Sequence, residues 1–313
     1  MAYESMKKQN FGIEIELTGI TRGKAANVIA KYFGTRSRHA GGAYDPYTAT
    51  DRKGRVWRAM TDGSIHTMKR MNGVLVNADR AYSCEVVSPI LQYEDMNDLQ
   101  EIVRLLRKAG AIANESCGIH VHVDGKDHTP ESLTRLMGFA IGRQDLFYEA
   151  LGIGDRADRW CQKMNRNLLK AMQKDSEKTR DSLERIWYSA ANDGYEGGIN
   201  HTHYNSSRYH GINLHAFFTK GTVEFRLFNG TTHAGKIKSY IQFCLAMSAW
   251  ALDCPKERLF FKGCKGYTAE QKYTLMTSVL KNRLGLQGKE FKTCRQHLTS
   301  QFLPQLQGEA TAA

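Results

Sequence analysis

Phe11, Ile13, Ile15 and Leu17 alternate with Gly12, Glu14, Glu16 and Thr18, the period of two that turns one face of a strand to a core and the other to polar surroundings. This predicts the first strand. The stretch 35–55 is rich in Gly, Arg, Asp and Thr and reads as a long loop, followed by a short strand over Val56–Met60 and a turn at Asp62-Gly63-Ser64. Another strand fits Tyr82–Ser88, closed by Pro89. Met96, Leu99, Ile102, Val103, Leu106 and Ala109 then recur at helical spacing, with Asp95 as the expected cap and Gly110 as the expected end.

The alternation returns at Ile119, Val121 and Val123, which are interleaved with His120, His122 and Asp124 and predict a second half-buried strand. Thr129-Pro130 opens a helix whose apolar stripe runs from Leu133 to Leu151. The charged stretch 156–190 reads as helical, and 192–209 as a loop rich in Gly, Asn and His. Strands over Gly211–Phe217 and Thr222–Phe228, joined at Lys220-Gly221, precede helices over 234–253 and 268–304. Mixed helices and alternating strands predict an α+β fold, an antiparallel sheet with helices on one face, rather than a parallel doubly wound sheet.

Composition narrows the class. The chain has 313 residues, 41% of them hydrophobic and 24% charged, which describes a globular chain that is neither disordered nor membrane-embedded. The polar start, with Lys7 and Lys8 and no apolar run behind them, does not read as a secretory signal, so a cytoplasmic location is expected. Seven scattered cysteines with no C-x-x-C spacing point to reduced thiols rather than a disulfide framework or a zinc ribbon. The net charge of +12 is uneven, with +6 in residues 254–313 and +4 in 156–185. Such a surface attracts polyanions, nucleotides or acidic substrates alike.

The polar faces of the predicted strands carry the chemistry. They offer Glu14 and Glu16, then Glu85, then His120, His122 and Asp124, then Asn213 and His215, then Glu224 and Arg226. Carboxylates packed together repel unless cations sit between them, and divalent ions held by carboxylate oxygens and an imidazole resolve that repulsion. Taken singly, E-x-E also suits a solvated face, and H-x-H suits a zinc pair or two structural histidines. Gly41-Gly42 and Gly197-Gly198 make neither a P-loop nor a dinucleotide fingerprint. Two classes stay open on the residues alone: a metal-dependent hydrolase using the His-x-His strand, and a basic nucleic-acid-binding protein.

The ordered series Phe11-Gly12-Ile13-Glu14-Ile15-Glu16-Leu17, Asp62-Gly63-Ser64-Ile65, Glu85-Val86-Val87-Ser88-Pro89, Cys117-Gly118-Ile119-His120-Val121-His122-Val123-Asp124, Asn213-Leu214 and Glu224-Phe225-Arg226 resembles the amidoligase family of the glutamine synthetase and glutamate–cysteine ligase superfamily. The resemblance implies a curved antiparallel sheet forming an active-site funnel, with helices on its other face. It implies an ATP-dependent carboxylate–amine ligase with two or three Mg²⁺ ions, Mn²⁺ being the alternative ion, and it implies the roles of single residues. Glu14, Glu16, Glu85, His120 and Glu224 would hold metal, and His120, Asn213 and Arg226 would border the nucleotide. His122 would face substrate or phosphate, Arg226 would neutralise the phosphoryl group in flight, and Asp62 and Arg208 would complete the catalytic set, with Arg166 a weaker candidate than Arg208. A carboxylate and an amine, small or carried on a peptide or macromolecule, would be the substrates. The expected organisation is a catalytic domain over 1–253, with a charged helical insertion at about 155–205, and a basic helical extension over 254–313. That extension, with Lys262, Lys281, Arg283 and Lys292, either caps the fold or draws in a polyanion such as nucleic acid. A homo-oligomer is compatible with all of this, and a membrane is not expected.

Overall fold

The computed structural model describes residues 4–190, 198–254 and 263–304. Lys262 and the Gly197 half of the second glycine pair lie outside the described residues. In chain order the strands are β1 (Phe11–Leu17), β2 (Arg38–His39), β3 (Tyr47–Thr50), β4 (Val56–Met60), β5 (Met68–Met71), β6 (Val74–Asn77), β7 (Cys84–Val87), β8 (Gly118–Asp124), β9 (Ile212–Asn213) and β10 (Thr222–Asn229). The helices are α1 (Arg22–Phe33), α2 (Met96–Lys108), α3 (Pro130–Ile141), α4 (Gln144–Leu151), α5 (Arg156–Arg159), α6 (Arg166–Lys174), α7 (Arg180–Ala190), α8 (His215–Lys220), α9 (Ala234–Asp253), α10 (Ala269–Ser278) and α11 (Lys292–Thr299). Two compact units share them. The first comprises Asn10–Val121 and Phe228–Ile241, and the second gathers the described residues of Met1–Gln9, His122–Leu227 and Gln242–Ala313.

In the first unit the strands run in the order β2-β3-β4-β7-β1-β8, an open sheet, while β5 and β6 pair as a separate hairpin. The pairings of β2 with β3, β3 with β4, β4 with β7 and β7 with β1 are antiparallel, in agreement with the α+β expectation. Ile13, Ile15 and Leu17 are buried, as their alternation requires. The stretch expected to be a loop holds β2 and β3. There Asp51 accepts from the backbone N–H of Lys53 and Arg55, both at 2.9 Å, and turns β3 back onto β4. Strand pairing completed by distant residues is what local composition conceals.

Thr21 opens α1 by accepting from Lys24 N at 3.3 Å, and Gly34, at φ +73°, closes it. Met96, Leu99, Ile102, Val103 and Leu106 of α2 are all buried, but Asp95 does not cap that helix as the sequence suggested. Its carboxylate takes Gln92 N, both arms of Arg55 at 2.7 and 2.9 Å, and Lys53 at 3.0 Å. Burial of Asp95 opposes ionisation, but these donors outweigh it and hold its carboxyl well below the usual carboxylate range. Gly230 N donates to Cys117 O at 2.8 Å. A side chain at 230 would put its Cβ 2.5 Å from that of Cys117, so the chain needs glycine beside the start of β8.

The second unit is mainly helical. Phe139 packs on Trp250 with ring centres 4.4 Å apart, and Phe147 meets Phe243 edge-on at 5.2 Å. His128 is buried between two hydroxyls, Ser132 Oγ at 2.9 Å and Ser248 Oγ at 2.8 Å. The helix expected over 130–151 breaks into α3 and α4 at Gly142, and the charged stretch 156–190 forms α5, α6 and α7.

Two expectations are corrected here. Gly211–Phe217 is not a strand: β9 has two residues, and His215 opens α8, which Gly221 ends at φ +74°. Ala216, Phe217 and Phe218 are all buried with His215, so both helix and strand periods fit so short a run. In β8, moreover, Gly118–Val123 are buried throughout, so its histidine face is covered rather than half-exposed.

Candidate metal centre and a histidine-lined cavity

Antiparallel pairing of β1 with β7 sets Glu16 directly opposite Glu85. Like charges placed so are destabilising, and both side chains are buried, Glu16 to 4% exposure and Glu85 to 9%. His120 of β8 joins them. Each of Glu16, Glu85 and His120 offers one ligand atom, and these atoms lie within 4.8 Å of one another. Gly118 N donates to Glu16 Oε2 at 2.5 Å, and the other oxygen, Oε1, lies 3.7 Å from His120 Nε2.

Glu14, two residues along on the same face of β1, sits 3.0 Å from His120 Nδ1. Nδ1 thus faces Glu14, and Nε2 is the ring nitrogen on the Glu16 side. A carboxylate that orients a ligating histidine in this way is a recurring device of metal sites. The donor set fits a hard divalent cation: ligand bonds of about 2.1 Å bring neighbouring donors to about 3 Å and opposite donors to about 4 Å, a small adjustment from the observed spread.

The second unit assembles a different group. Asn213 of β9 lies opposite Glu224 of β10 and donates from Nδ2 to Glu224 Oε2 at 2.6 Å. Arg226 Nη1 donates to Glu224 Oε1 at 2.5 Å, and its Nε reaches Trp160 O at 3.3 Å. His122 bonds Thr222 Oγ1 through Nδ1 at 3.0 Å, with Nε2 3.9 Å from Glu224 Oε1. Glu224 and Asn213 also line a cavity of about 210 Å³, together with His201, His203, Arg208 and His215. Tyr188 Oη is 2.7 Å from His215 Nδ1. Burial, reinforced by the nearby Arg208, pushes His215 down to about 4, so the ring is neutral at pH 7.

The remaining candidates divide. Arg208 faces the cavity, with Nη1 donating to His203 O at 2.7 Å, whereas Arg166 is exposed on α6. Asp62 forms a turn. Its Oδ1 accepts from Ser64 N at 2.6 Å and Ser64 Oγ at 2.5 Å, and its backbone is tied to Ser83 Oγ. No disulfide joins the seven cysteines, which are all buried except the partly buried Cys254. Burial raises the Cys84 thiol to about 12, far from a reactive thiolate. Sequence reading missed His201, His203 and Lys220 as cavity residues. The His-Thr-His run at 201–203 was a signal, but it lies in a loop without periodicity to aim it.

The sequence profile of a family described as "putative amidoligase enzyme" matches residues 7–248. That span is most of the chain, and the protein belongs to this family. No curated protein matches the chain. Among the described residues, no helix is long and apolar enough to cross a membrane.

Proposed function

We propose that the protein is an ATP-dependent carboxylate–amine ligase working through an acyl phosphate. The observation that supports it most is the meeting of Glu16, Glu85 and His120, buried and with ligand atoms within 4.8 Å of one another, in a chain of the amidoligase family. These residues, oriented through Glu14, would hold Mg²⁺ or Mn²⁺. Such an ion supplies charge neutralisation at phosphate oxygens, which phosphoryl transfer needs more than covalent help.

A carboxylate oxygen of one substrate attacks the γ-phosphorus of ATP and ADP departs. An amine then attacks the acyl carbon, loses a proton, and phosphate leaves with the oxygen that made the attack. Arg226 is the residue assigned to the phosphoryl charge, because its planar guanidinium is held in place at Nη1 and Nε and a guanidinium so fixed stabilises developing charge without reorganising. The other classes have less support. A zinc hydrolase would use His120 and His122 together, yet the ligand atoms that gather with His120 are carboxylates, and none comes from His122.

The test uses a carboxylate substrate labelled with ¹⁸O in both oxygens, found by screening acid and amine pairs for ATP-dependent product mass. The proposal expects one ¹⁸O in each inorganic phosphate released. Label in AMP would show adenylation instead, and unlabelled phosphate would show plain ATP hydrolysis.

A further inference from the structure

The cavity in the second unit is small and unevenly charged. At about 210 Å³ it has the volume of roughly seven water molecules at ~30 Å³ each, below the range of pockets for drug-sized ligands. Arg208 and Lys220 contribute cationic side chains to its lining, and Asn213 and Glu224 contribute acceptors.

The amide of Asn213 is oriented unambiguously. A carboxylate only accepts, so the group bonding Glu224 Oε2 at 2.6 Å must be the Nδ2 of Asn213. Its Oδ1 is thereby left as an acceptor, and this atom is buried with no hydrogen-bond partner among the described residues, in a side chain only 1% exposed. A buried acceptor without a donor is costly, and this one belongs to a side chain that lines the cavity. The walls are fixed beforehand: Tyr188 holds His215 and the His203 carbonyl holds Arg208.

We propose that this cavity binds a small free amino acid as a zwitterion, with the ammonium toward Asn213 and Glu224 and the carboxylate toward Arg208 and Lys220. It follows, resting on the ligase reading above, that the amine substrate is an amino acid. Neither a lone amine nor a lone carboxylate uses both walls.

Four-carbon probes test this by titration calorimetry on the full chain without nucleotide: 4-aminobutyrate, butyrate and butylamine, with glycine and β-alanine varying the charge separation. At least one of the three amino acids should bind about tenfold or more tighter than both butyrate and butylamine. Arg208→Ala should cost that amino acid about tenfold while leaving butylamine unchanged, and Arg208→Lys should recover part of the loss. Binding of every amino acid no tighter than butyrate and butylamine would overturn the proposal. So would an Arg208→Ala variant that weakens butylamine as much as the amino acid, since that is what structural damage does. The two readings also fail separately: an amino acid that binds here yet is never joined to a carboxylate contradicts the ligase assignment alone, and ligation of butylamine as efficient as that of any amino acid contradicts the cavity assignment alone.

Discussion

The two units treat a buried carboxylate in opposite ways. In the second, Glu224 is answered by the chain itself, through Arg226 at one oxygen and Asn213 at the other. In the first, Glu16 and Glu85 face each other across a strand pair, with the imidazole of His120 as the third member of the group. Two carboxylates this close repel each other, and Glu16 takes one backbone N–H, from Gly118. One carboxylate is answered by donors of the chain, and the other pair is the cation receptor proposed above. Substitutions in the two groups should therefore differ in what they cost.

The largest effect is expected in the receptor. Glu16→Gln relieves the repulsion, so thermal unfolding should stay where it is or rise, while ATP turnover falls by about a thousandfold or more, as for loss of an essential metal. Circular dichroism melting and ADP release measure the two sides, and a variant that keeps its turnover would break the comparison. Next comes the answered carboxylate. Arg226→Lys cannot reproduce a fork that serves Glu224 and Trp160 at once, so kcat should drop about ten- to a thousandfold with a smaller change in KM for ATP. Equal changes in both would point to ground-state binding.

Acid sensitivity sharpens the contrast away from the site. Burial pushes His128 down to about 4, whereas an unfolded histidine titrates near 6.5. The stability this residue contributes is complete above the unfolded value and is lost as pH falls from there toward 4. At pH 5 the protein should be about 2 kcal/mol less stable than at pH 8 on this account, and His128→Gln, though less stable overall, should lose that part of the pH dependence in denaturant titrations. The smallest effect is expected on the surface. Lys281, Arg283 and Lys292 are exposed, and reversing their charges should leave ATP turnover within about twofold. Weaker capture of a polyanion at low salt by the same variant would reveal a recruiting role.

How much of this was written in the chain depends on what holds each piece. The alternation of Ile13, Ile15 and Leu17 with Glu14 and Glu16 gave β1 and its polar face directly, because a strand's period is local. The same reading missed β2 and β3, whose pairing partners lie on other strands, across intervening turns, and it drew a strand through α8. For the candidate centre, the residue types and their shared face were legible, whereas the register that sets Glu16 opposite Glu85 was not. Nor could the sequence divide Glu14 from Glu16, which differ in what they touch: the former orients His120, and the latter takes Gly118 N. The cavity stayed hidden because His201, His203 and Arg208 reach it from a loop and the short 3-10 helix that ends it, where spacing carries no direction.

Cation binding at Glu16, Glu85 and His120 is the claim on which the account turns, and it is most directly measured by titrating Mn²⁺ into the nucleotide-free protein and following the loss of the free-ion signal by electron paramagnetic resonance. The wild type should bind Mn²⁺ with at least one site that Mg²⁺ competes for, and Glu85→Gln, which leaves Arg226 and Glu224 untouched, should lose that site while remaining folded. Binding of equal affinity in Glu85→Gln and wild type, or none in either at millimolar Mn²⁺, would contradict it.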